Sequence, residues 1–140
     1  MATTTAAITL TSTDLLTDSL SLSATQTLYQ AGTTTGLDQA RMFRTEVPTG
    51  DVYDLLDATA RGANTAAKVY IANKHTDATK YVDIYVAALN IGRLYAGDWM
   101  FIPWEQAAHT QDIGVEAIST AQVVEVVCVH QDETLTESQK

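Results

Sequence analysis

The sequence predicts an all-β chain, an antiparallel β-sandwich or jelly-roll-like small barrel of about seven to nine short strands. Three observations carry this. The 140 residues include 22 Thr and 6 Ser, a fifth of the chain, and threonine is β-branched and stiff at χ1. Several runs alternate apolar and polar side chains with period two, the mark of a half-buried strand. Turn signals separate these runs at roughly 8 to 12 residue intervals, and no amphipathic helix of useful length interrupts them.

Taken in order, Met1 to Ala7 is a low-complexity opening, and Ile8 to Leu10 is a short alternating run ended by Asp14 to Asp18. Residues 1–18 are therefore expected to form an N-terminal arm with a first short strand. Ser19 to Ser23 then alternates strictly, with Leu20 and Leu22 on one face. Thr25 to Tyr29 continues that strand or pairs with it, and Gly32 to Gly36 is a loop. Asp38 to Gly50 reads as weakly structured or as an edge strand. Val52 to Leu56 fits a strand or a helical turn, and Ala58 to Asn64 a loop.

The later signals are sharper. Lys68 to Ala72 and Lys80 to Val86 alternate and are expected to pair as a hairpin across the polar Asn73 to Thr79. Trp99 to Ile102 is a strand that Pro103 ends or places at an edge. Gln106 to Gln111 is a polar loop, Asp112 to Ile118 a strand, and Ser119 to Gln122 a turn. Val123 to His130 is the most apolar strand and belongs in the middle of a sheet. The expected sandwich spans 19–130, and 131–140 is a charged tail.

Charge narrows the function classes. Eight Lys+Arg stand against 17 Asp+Glu, for a net charge of −9, and the cations are scattered. Nucleic-acid binding needs a basic patch that displaces counterions from phosphates, so no nucleic-acid partner is expected. Anionic membrane is excluded on the same ground, and no apolar run reaches the roughly 18 residues of a span. The first Lys or Arg is Arg41, so neither a secretory signal nor a transit peptide is expected, and the chain reads as made in a host cytoplasm. Cys128, in an apolar β run, is expected to be a small buried side chain rather than a nucleophile.

The chain carries no Gly-Lys-Ser/Thr phosphate loop, no Gly-x-Ser-x-Gly elbow and no His-Glu-x-x-His. Each histidine has a nearby aspartate: His75 with Asp77, His109 with Asp112, His130 with Asp132. A metal centre needs three or four converging ligands, and hydrated surface histidines account for all three. No catalytic residue, cofactor or metal is expected. The aromatic cluster Tyr95, Trp99, Phe101 and Trp104 has two readings. Phe101 and one tryptophan belong in the core. The outer aromatics, Trp104 beside Pro103 above all, meet another subunit, as interfaces favour Trp, Tyr and Arg. The interface candidates are Arg93, Tyr95, Trp99 and Trp104, and sugar stacking on Trp104 is a further option.

The run from Ile91 to Trp104 (IGRLYAGDWMFIPW), then Asp112 to Val115 (DIGV) and Val123 to Val127 (VVEVV), together resemble small virion structural proteins of tailed bacteriophages. The Thr/Ser-rich opening, Ile8 to Ser12 and Ser19 to Ser23, is similar too. The likeness covers roughly half the chain, and its motifs are structural. It implies a non-enzymatic β domain that packs on the major capsid protein or other virion subunits and forms a homo-oligomer, commonly a trimer. A capsid decoration (cement) protein is the first expectation. A tail or fibre component, or a carbohydrate-binding module, is the alternative.

Overall fold

Strand alternation is visible throughout the computed structural model, which describes residues 3–15, 17–30, 32–37, 39–57, 66–105 and 112–130. Among them are ten strands: β1 Thr5–Ser12, β2 Leu20–Thr27, β3 Gln39–Val47, β4 Tyr53–Leu56, β5 Ala66–Asn73, β6 Tyr81–Val86, β7 Leu89–Tyr95, β8 Trp99–Glu105, β9 Ile113–Ile118 and β10 Gln122–His130. The chain is all-β, with one strand more than the upper end of the expected number. Met1, Ala2, the expected loops over Ala58 to Asn64 and Gln106 to Gln111, and the expected tail 131–140 lie outside the described residues.

β3 to β10 form two four-stranded antiparallel sheets, ordered β3-β10-β5-β8 and β4-β9-β6-β7. The pairing is nested: β3 lies against β10, β4 against β9, β5 against β8 and β6 against β7. This is one long hairpin wrapped on itself, the jelly-roll arrangement. Its tip is the link between β6 and β7, where Ala87 and Ala88 both take positive φ, 53° and 64°. Two left-handed residues match the twist of a tight hairpin, a geometry that Asn-Gly ordinarily supplies. The expected hairpin between Lys68–Ala72 and Lys80–Val86 is corrected by this topology. β5 and β6 lie in different sheets, and Asn73 to Thr79 carries the chain across.

The core lies between the two sheets. β10 sends Val124, Val126 and Cys128 inward, all fully buried, and it is paired on both sides. Val69 and Ile71 from β5 join them, with Trp104 from β8. The facing sheet supplies Val82, Ile84, Leu94, Ile113 and Val115. A register shift between Asp54 and Leu56 lets β4 bury two successive leucines, Leu55 and Leu56.

A buried amide pair closes one end of the sandwich. Asn73 and Gln122 are each 1% exposed. Asn73 Nδ2 donates to Gln122 Oε1 and to the Leu94 carbonyl, both at 3.0 Å. Gln122 Nε2 donates to the carbonyls of Tyr81 at 2.7 Å and Ile118 at 3.1 Å, with that of Thr120 at 3.3 Å. The backbone of Asn73 is engaged as well, donating to Asp98 O at 3.0 Å and accepting from Gly97 N–H at 2.9 Å. The pair thus ties β5 and β10 of one sheet to β6, β7 and β9 of the other.

β1 and β2 stand apart as a two-stranded sheet of their own. The strand at Leu20 therefore belongs with the arm, and the sandwich strands begin at β3 rather than at residue 19. Backbone bonds at the arm's base, Leu28 N–H to Thr4 O at 2.9 Å and Leu37 N–H to Leu28 O at 3.0 Å, accompany burial of Leu28 and Leu37.

Candidate docking surface

Period-two alternation turns every second residue of β3, β10, β5 and β8 away from the core. The register sets Met42 beside Val127, Val127 beside Tyr70, and Tyr70 beside Phe101. An apolar row therefore crosses all four strands on the outer face. The next row holds Arg44, Glu125, Ala72 and Trp99, in which Arg44 Nε donates to Glu125 Oε2 at 2.6 Å. The row on the other side holds Ala40, Val129, Lys68 and Pro103. Pro103 fits because β8 is an edge strand, where a missing N–H costs no ladder bond. Met42 is 76% exposed and Trp99 52%, with the Trp99 ring tilted against Tyr70 at 6.0 Å. Large apolar side chains are thus contiguous on this face, with Met42, Trp99 and Phe101 the most open to solvent.

The outer face of the other sheet has a different chemistry. Arg93 Nε donates to Asp83 Oδ1 at 2.9 Å, and its guanidinium lies 3.8 Å from the centre of the Tyr81 ring. Asp83 holds Arg93 firmly protonated, raising its pKa above the usual arginine value. Tyr81 in turn packs on Tyr95, with ring centres 5.1 Å apart. The Tyr85 hydroxyl donates to Glu116 Oε2 at 3.1 Å, and that bond raises the phenol's pKa. Arg93 with Asp83, and Tyr85 with Glu116, thus find their partners within this face.

The four interface candidates therefore part company. Arg93 and Tyr95 sit on the polar face, and Trp99 on the apolar face of the opposite sheet. Trp104 is corrected: it is 3% exposed and part of the core. The reason is parity. Met100, Ile102 and Trp104 share the inner face of β8, which leaves Trp99, Phe101 and Pro103 outside. Phe101, expected in the core, is 41% exposed for the same reason. Sugar stacking on Trp104 falls with its burial. The sequence reading missed Met42, Tyr70 and Val127, whose shared row becomes visible only once the non-consecutive neighbours β3, β10 and β5 are known.

The arm carries a second apolar face. The register puts Ala6, Ile8 and Leu10 of β1 on the same side as Leu20, Leu22 and Ala24 of β2. The opposite side holds Thr5, Thr9, Thr11, Ser21, Ser23, Thr25 and Thr27. Ile8, Leu10 and Leu22 are 40%, 48% and 47% exposed. A lone two-stranded hairpin is at best marginally stable in water, so this face gains by being covered.

A shallow groove of about 380 Å³ lies near the β6–β7 tip, lined by Val52, Asp54, Tyr85, Ala87, Ala88, Asp112 and Gly114. A Cβ on Gly114 would meet Val52 Cγ1, so a larger residue there would have to displace that side chain. Among the described residues no group of His, Cys, Asp or Glu is arranged to hold a metal ion. His75 Nδ1 accepts from the Asp77 N–H at 2.9 Å, within an Asx-type turn that lowers the Asp77 pKa through Thr79. His130, expected at the surface, is corrected to 6% exposed, on the inner side of β10, while His109 and Asp132 lie outside the described residues. Cys128 is buried, as expected.

Covering these apolar side chains with another surface would take them out of water, which is favourable. Compared with family models, with curated proteins and with solved structures, the chain matches none.

Proposed function

We propose that this chain is a non-enzymatic structural subunit of a bacteriophage virion, a decoration or cement protein that stabilises the head by binding its outer surface. The observation that carries an assembly role is the apolar row Met42, Val127, Tyr70 and Phe101, which crosses a whole sheet with its ends exposed and its middle half-buried. The virion reading rests on the likeness of the Ile91 to Trp104 and Val123 to Val127 segments to phage structural proteins. Jelly-roll architecture agrees with it by analogy only, since the same architecture also serves lectins and cupins. A cement protein works by adding buried area between lattice neighbours, and it needs no cofactor.

Cryo-electron microscopy of particles purified from the cells that make this chain tests the proposal. Density for the sandwich on the head lattice is the expected result. Density confined to the tail transfers the chain to the tail or fibre reading, and absence from the particles overturns a virion role. A carbohydrate-binding reading retains one specific observation, the exposed Trp99 ring beside Tyr70, which offers a stacking platform. Retention on a glycan array that is lost in Trp99→Ala would favour it.

A further inference from the structure

Among the described residues, two sheet faces carry exposed apolar rows. One is the outer face of β3-β10-β5-β8; the other is the arm face of Ile8, Leu10, Leu20 and Leu22. We infer that the arm of one copy packs face-on against the apolar sheet of a second copy, so that self-assembly proceeds by arm exchange. This deepens the assembly reading above and rests on it.

Size supports the match. Eight residues at about 3.4 Å and two strands about 4.8 Å apart give the arm a face of roughly 27 by 10 Å. Three outward rows across four strands give the sheet a face of roughly 20 by 19 Å, which takes about 20 Å of the arm's length. Each copy would give one arm and receive one, as closed symmetry requires. Two such contacts, each covering roughly 20 by 10 Å on both surfaces, bury roughly 800 Å² in total, the size of a weak, reversible interface. A single contact would fall short, which favours reciprocal exchange.

Charge points to the same pair of surfaces. Two copies at −9 each repel, so they approach best where neither carries charge. The strands of the arm contain no Asp, Glu, Lys, Arg or His, and neither does the row Met42, Val127, Tyr70 and Phe101. Of the two flanking rows, one holds the Arg44–Glu125 pair, which neutralises itself, and the other a single cation, Lys68. The polar side of the arm, Thr and Ser throughout its opposed pairs apart from Ala7, would then face water.

The test uses sedimentation equilibrium of the full chain together with Leu22→Ser, Phe101→Ser and Thr25→Ala. The first two remove apolar contacts from the arm and from the sheet, and the third changes only the arm's polar side. The wild type is expected to be oligomeric. Leu22→Ser and Phe101→Ser should each weaken association at least about tenfold with unchanged circular dichroism, while Thr25→Ala leaves it as it was. A mixture of Leu22→Cys and Phe101→Cys chains should form a mixed disulfide under mild oxidation. A wild type that stays monomeric overturns arm exchange, and so does an oligomer that survives both substitutions. A monomer that still binds purified particles defeats the exchange alone; an exchanging oligomer absent from particles supports it and defeats the virion reading alone.

Discussion

Gln122→Met removes the amide that clamps the end of the sandwich while nearly keeping its volume. Gln122 Nε2 has two protons and three carbonyls within reach, those of Tyr81, Ile118 and Thr120, and Oε1 accepts from Asn73. Two strong donations and one acceptance are therefore lost. A typical intramolecular hydrogen bond contributes about 1 kcal/mol net, and a buried partner left unsatisfied raises the loss. The sum is about 3 kcal/mol, and burying the thioether in place of the amide returns about 1 kcal/mol of it. The expected net change is thus about 2 to 3 kcal/mol, a large part of the roughly 5 to 15 kcal/mol that holds a domain together. For a domain of this size that corresponds to a fall in Tm of about 10 °C. Urea unfolding followed by tryptophan fluorescence, with Trp104 as an internal reporter, measures it. Combining the substitution with Asn73→Leu should give a coupling energy of about 1 kcal/mol between the two amides. A loss below about 1 kcal/mol in Gln122→Met, or additivity in the double variant, would refute the clamp.

Three further outcomes follow from the same geometry. Trp104→Ala should lower stability by about 3 to 5 kcal/mol through the cavity it leaves in the core, and a denaturation midpoint close to wild type would return Trp104 to the surface. Ala87→Asn with Ala88→Gly places residues suited to positive φ at the tip and should raise stability by about 1 to 2 kcal/mol; an unchanged Tm would mean that the turn is not left-handed at both positions. Tyr85 should ionise above the ordinary phenol range, because neutral Tyr85 donates to Glu116. Its raised folded-state pKa stabilises the fold below the unfolded phenol's pKa, and that contribution disappears as pH rises through the folded value. The ultraviolet difference titration between wild type and Tyr85→Phe reads this directly, and a phenol titrating at or below the normal range contradicts it.

Much of the fold could be read in the sequence, wherever local alternation coincided with burial. β10 is the clearest case: Val124, Val126 and Cys128 fall on one parity, and their apolarity places the strand inside a sheet. β3 was less distinct because Arg41, Arg44 and Glu46 make its exposed positions look like a loop, which an edge strand tolerates. Pairing between strands was the harder matter. The polar run from Asn73 to Thr79 resembles a hairpin turn but crosses between sheets, while the true hairpin turns on Ala87 and Ala88, which carry no Asn or Gly signal. The docking surface was half legible. Trp99 was identified from its type, but the row through Met42 and Tyr70 exists only because strands far apart in sequence become neighbours. Trp104 was misplaced because aromatic clustering outweighed the parity running from Met100. The Asn73–Gln122 clamp left no local trace, since its partners lie 49 residues apart.

The central claim is that the chain works as a repeating structural subunit of a virion. Quantitative mass spectrometry of purified particles measures it most directly. A decoration protein should appear in a fixed ratio to the major capsid protein, unchanged through repeated density-gradient purification. Loss of the chain on purification, or a copy number unrelated to that lattice, would contradict it.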